Sequence, residues 1–125
     1  MNLTWSGSEY TMALASAREH HLVRNAVVEA AYVVDGLPDA ECTARLGRTK
    51  AEIQQFIDGW SEFQPSRRLS VPELEFVRAC FLETLGFFSE ADYRLRTDWT
   101  KQEAGAVLSA LLEDRRRITI SRQWG

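Results

Sequence analysis

Adjacent histidines, two cysteines, a repeated glutamate and arginine, and an arginine-rich tail are the residues of this chain whose types could support chemistry. His20 and His21 follow one another, so on a helix their rings point about 100° apart. They cannot hold one metal ion as an i, i+4 pair does. No other residue supplies a third or fourth ligand at a workable spacing, so neither a metal nor a cofactor is expected. Cys42 and Cys80 lie far apart in apolar stretches without a CxxC partner, where a free thiol behaves as a small hydrophobe. Such cysteines suit a reducing, cytoplasmic compartment. There is no glycine-rich phosphate loop, no GxSxG elbow and no HExxH motif. No catalytic residue is therefore assigned, and the chain is expected not to be an enzyme.

Three other groups are candidates for contacts. The segment DAECTARLGRTKAEIQQFI, residues 39–57, has the length of a helix-turn-helix, with Gly47 at the turn and Thr49 capping the following helix. Arg48, Lys50, Gln54 and Gln55 are its candidate nucleic-acid contacts. The pattern is partial, because Arg48 stands where that motif usually carries an apolar plug, and Glu52 and Asp58 share the helix. Arg115, Arg116, Arg117, Arg122 and Trp124 form the one concentrated cationic and aromatic feature. They complement the negative end of a last helix or, alternatively, anchor an acidic protein partner. Glu29/Glu83 and Arg45/Arg96 recur at matched places in two halves of the chain. Charge-assisted hydrogen bonds Glu29–Arg45 and Glu83–Arg96, each locking a long helix to a short one, are expected.

The elements that position these residues are marked by their beginnings. Ser16-x-x-Glu19, Thr49-x-x-Glu52, Ser70-x-x-Glu73 and Thr100-x-x-Glu103 all have the capping-box form, in which hydroxyl and carboxylate satisfy each other's backbone amides. Helical apolar spacing follows each start: Leu22, Val23, Ala26, Val27 and Ala30, then Ile53, Phe56, Ile57 and Trp60, then Phe76, Val77, Cys80, Phe81 and Leu85, and finally Ala104, Val107, Leu108 and Leu111. Short helices are predicted over about 38–46 and 89–96, and a loop with Pro65 over 61–69.

The segment from Ser16 also lies over the segment from Ser70 at a constant offset, matching Ser16/Ser70, Glu19/Glu73, Val23/Val77, Arg24/Arg78 and Glu29/Glu83. After a three-residue gap, Arg45/Arg96, Thr49/Thr100, Lys50/Lys101 and Glu52/Glu103 match. The expectation is an all-α chain of two tandem three-helix units, about 16–60 and 70–114, packed as one domain with a tail over 115–125. The period-two runs Tyr10–Leu14 and Arg117–Arg122 are expected to pair as a small terminal β-ribbon.

A net charge of −3 and a charged fraction of 26% are too acidic for a protein that coats nucleic acid without sequence preference. No export signal and no membrane span are read from the chain. What elimination leaves is a small non-enzymatic protein that binds another protein, of inhibitor or immunity type, masking a partner's surface. A helix-turn-helix DNA-binding regulator using residues 49–60 is the alternative. A homodimer is compatible with either.

Overall fold

In the computed structural model the backbone is described for residues 1–124 and the side chains for residues 1–112. Within that range the chain runs β1 (Asn2–Trp5), β2 (Tyr10–Ala13), α1 (Ala17–Val34), α2 (Asp39–Leu46), α3 (Lys50–Gly59), β3 (Ser66–Leu69), α4 (Val71–Phe87), α5 (Glu90–Thr97) and α6 (Lys101–Trp124). The protein is mostly helical, with a small three-stranded antiparallel sheet.

The helix starts are local chemistry. At Thr49, Ser70 and Thr100 the hydroxyl accepts from the amide three residues on, and the glutamate there accepts from the cap amide. Each such cap is worth about 1 kcal/mol. Ser16 makes only half of this arrangement. Its hydroxyl accepts from the Glu19 amide, while the Glu19 carboxylate accepts from the Ala15 amide at 2.6 Å and pairs with the Met1 amino group at 2.8 Å. Ser89 caps α5 in the same way, by accepting from the Asp92 amide.

The short helices end alike. Gly47 and Asp98 both adopt the left-handed conformation, φ 77° and 67°, and their amides close back on Thr43 and Arg94. Glycine occupies that region freely, whereas a residue with a Cβ pays for it. Asp98→Gly is therefore expected to stabilise the protein by about 0.5–1 kcal/mol, and Gly47→Ala to destabilise it by a similar amount. Paired urea titrations check both signs.

The sheet departs from the expected terminal ribbon. Tyr10–Ala13 pairs with β1 on one side, Tyr10 opposite Trp5, and with β3 on the other, Tyr10 opposite Leu69. Residues expected to form only a loop thus supply the third strand, beginning immediately after Pro65, whose carbonyl accepts from the Leu14 amide. Arg117–Arg122 belongs instead to α6. No glycine or proline interrupts the chain between Gly105 and Gly125, so nothing in that stretch stops a helix once Thr100 has started it.

Helices α1 and α4 both start at the sheet, since β2 leads into α1 and β3 into α4. They pack closely on each other, and α3 packs on α1 as α6 does on α4. The short helices cross over: α5 lies on α1, and α2 lies on α4. One hydrophobic cluster draws on the sheet and on α1 to α6, from Tyr10 and Met12 through Phe76 and Phe81 to Leu111. Arg78 is buried within this frame, donating to the Leu111 carbonyl and so fastening α6 to α4. No helix among the described residues is long and apolar enough to cross a membrane.

Candidate functional site

The crossed short helices decide which ion pairs form. Arg96 Nε donates to Glu29 at 2.6 Å, and Arg45 lies 3.7 Å from Glu83. The expected partners, Glu29–Arg45 and Glu83–Arg96, are thus corrected: each arginine, near the C-terminal end of a short helix, reaches the long helix of the other half. The two pairs differ in quality. Arg96 is also stacked on the rings of Tyr32 (4.1 Å) and Phe88 (5.1 Å), and its hydrogen bond to Glu29 holds the guanidinium above its usual pKa. Behind them Tyr93 is fully buried, and desolvation, with Glu29 nearby, pushes its hydroxyl up to about 12.

The C-terminal ends of α1 and α4 meet at this point. Tyr32 stacks on Phe88 at 6.3 Å, and Phe87 meets Phe88 edge-on at 5.0 Å. Phe87 then opens onto a groove of about 390 Å³ along α4, lined by Arg45, Ala79, Leu82, Glu83, Gly86 and Phe87. Two of its apolar walls are exposed, Leu82 by 58% and Phe87 by 59%, whereas Tyr32, exposed by 56%, lies outside the groove against Arg96 and Phe88. An apolar groove of this kind, walled by Leu82 and Phe87 and edged by one cation and one anion, has the make-up of a contact surface.

Sequence reasoning did not single out these three residues. A signal was present in α4, where Leu82 and Phe87 fall off the stripe carrying Phe76, Val77, Cys80 and Phe81. Such a helix, apolar on several faces, either is enclosed or presents one of them.

The helix-turn-helix candidates are placed on α3 and its approach, and most are engaged within the protein. Arg48 lies over the Phe76 ring at 5.2 Å, Lys50 Nζ donates to the Asp35 carbonyl at 2.7 Å, and Gln54 donates to Asp58 at 2.9 Å. Gln55 is exposed, on a surface it shares with the exposed Glu52 and Asp58. Arg115, Arg116, Arg117, Arg122 and Trp124 lie outside the residues whose side chains are described.

His20 is fully buried in an aromatic ladder. Its ring stacks on Trp60 at 5.3 Å and 13°, meets Phe63 edge-on, and touches the exposed His21 on its other side. Trp60 in turn stacks on Phe56 and carries the Arg67 guanidinium at 4.6 Å, while Arg67 donates to the carbonyls of Gly59 and Glu62. Burial first, then the positive charges of Arg67, His21 and Arg24, hold the imidazole below its ordinary value of 6.5, against the Trp60 backbone, which favours protonation. The folded state thus takes up fewer protons than the unfolded chain in mild acid. Stability from this site is complete above about pH 6.5 and declines as pH falls below it. Thermal midpoints between about pH 8 and pH 5 should show that decline, and His20→Phe should flatten it.

Cys42 and Cys80 are free and buried, and desolvation raises the Cys80 thiol well above its usual range. Among the described residues no three of His, Cys, Asp and Glu gather as a metal site. Compared with known proteins, the chain matches no protein family, no curated protein and no solved structure.

Proposed function

We propose that this is a non-enzymatic protein that works by occupying the surface of another protein, and that the groove walled by Leu82 and Phe87 is the surface it uses. One observation carries the reading. Neither side chain belongs to the buried core, yet Leu82 and Phe87 stand exposed on the walls of one open groove, where a solvent-facing position would ordinarily hold a polar residue. The rim pair of Arg45 and Glu83 supplies the polar edge that orients a partner. Masking a partner's surface, as an inhibitor does, needs no chemistry beyond this.

The two halves read as diverged copies of one three-helix unit related by an approximate twofold. Support comes from the crossed pairs, because residue i contacting j while j's counterpart contacts i's counterpart is the pattern a twofold imposes. It comes also from matched caps: Asp39 accepts from the Lys50 amide and Glu90 from the Lys101 amide. On this reading the repeated residues build the frame, and binding belongs where the halves differ.

Affinity capture with the tagged full chain tests the function, run beside Leu82→Asp. Leu82 is exposed, so this change should leave stability within about 0.5 kcal/mol. A stoichiometric protein bound by the wild type and lost with Leu82→Asp is the expected result. Capture unaffected by Leu82→Asp, or no stoichiometric partner and no self-association, would reject it.

A further inference from the structure

The differing halves also indicate what the groove receives. Continuing the register that matches Glu29 with Glu83 places Gly86 opposite Tyr32, and the later register places Arg45 opposite Arg96. In the first position an aromatic ring lies under an arginine: Tyr32 beneath the Arg96 guanidinium at 4.1 Å, with Arg96 drawn tight to Glu29 at 2.6 Å. At the counterpart the ring is missing. Gly86 provides only backbone, the Arg45–Glu83 pair is slack at 3.7 Å, and the space above it is the groove. No steric need accounts for this glycine, since a Cβ built on it meets no atom within 4 Å. A glycine inside a helix costs about 0.5–1 kcal/mol relative to alanine, so the open slot is kept at the expense of stability.

We propose that the groove at Gly86 is filled by an aromatic side chain from a second copy of this chain, in a twofold dimer where Phe87 of each subunit enters the groove of the other. This rests on the binding-surface reading above and names the occupant. Three features favour a second copy over an unlike partner. Phe87 borders the very groove it would fill, so a twofold axis passing beside Gly86 exchanges the two rings in one rotation. A twofold interface must be complementary to itself, and the rim carries one cation and one anion, which sets Arg45 against the partner's Glu83 and Glu83 against the partner's Arg45. A strongly acidic or basic partner would meet one matched and one opposed charge there. The exchanged ring would also restore to Arg45 the stacked face that Tyr32 gives Arg96.

Sedimentation equilibrium of the full chain, from micromolar to millimolar concentration, tests the proposal. A monomer–dimer equilibrium is expected, weak because the patch is small. Phe87→Asp removes the knob, and Gly86→Tyr fills the hole with the residue of the other half. Each should weaken dimerisation by about thirtyfold or more, as loss of a central anchor does. Far-ultraviolet circular dichroism should be unchanged, and Gly86→Tyr should melt no lower than the wild type. Arg45→Glu and Glu83→Arg should each weaken the dimer, whereas an equimolar mixture of the two variants should dimerise, which the Arg45–Glu83 pair within one chain would not produce. A wild type that stays monomeric throughout, or a dimer indifferent to both Phe87→Asp and Gly86→Tyr, overturns the inference. A monomer that still captures an unlike protein through Leu82 overturns this inference alone. A monomer that captures nothing overturns the binding-surface reading with it.

Discussion

Trp60→Ala is expected to destabilise the protein by about 3–5 kcal/mol, the range for removing a large aromatic side chain from a packed interior. Trp60 ends α3 and is buried between three neighbours, stacked on Phe56 and on His20, each at 5.3 Å, with the Arg67 guanidinium against it at 4.6 Å. Through Phe56, which meets Phe76 edge-on at 5.2 Å, the same ladder ties α3 to α4. Removing the indole leaves a void that a tryptophan-sized change cannot close by relaxation, and opens His20 to water. A second consequence follows from the first. With its burial relieved, the His20 imidazole should titrate nearer its ordinary value, so the acid-side loss of stability should shrink in Trp60→Ala. Urea unfolding followed at several pH values reads both effects. Trp60→Phe keeps a stacking face and should cost much less. A loss below about 1 kcal/mol for Trp60→Ala, the level of an ordinary surface or marginal site, would show that the ladder is not part of the core.

Arg96→Ala should lower the thermal midpoint several times more than Arg45→Ala, although the two arginines hold matched places in the sequence. Glu29 is buried and its carboxylate is held by Arg96, so removing that arginine leaves a largely desolvated charge without its partner. It also strips the cation from the faces of Tyr32 and Phe88. Arg45 sits at the exposed rim of a groove, and the pair it makes with Glu83 is long, where water screens the charges and little stability is at stake. A double-mutant cycle between Glu29 and Arg96 should return a clear coupling, and one between Glu29 and Arg45 should return none. Equal effects of the two substitutions, or coupling between Glu29 and Arg45, would contradict the crossed arrangement.

The parts of this molecule legible in its sequence are those governed by neighbours along the chain. A capping hydroxyl and its glutamate lie three residues apart, so the starts at Thr49, Ser70 and Thr100 could be read directly, as could a turn at Gly47. At Ser16 the same spelling led to a different bond, because the Met1 amino group and the Ala15 amide compete for Glu19. The apolar spacing likewise located the buried faces of α1, α3, α4 and α6, and the buried cysteines.

Tertiary structure alone decided the rest. The sequence, by itself, determined that six helices form, roughly where each begins, and which residues carry complementary charge. It did not determine which glutamate meets which arginine, because intra-unit and crossed pairing place the same residues on the same helices and differ only in how α2 and α5 lie across the long pair. It did not assign β2 its partners either: an edge with unpaired amides is satisfied by any strand brought beside it, and the turn at Pro65 brings residues 66–69. Nor did it show that Leu82 and Phe87 stay open on the groove, since an apolar residue on a helix is core or contact surface according to whether another element covers it. Burial is a property of the assembled fold, and only the packing of the six helices settled it.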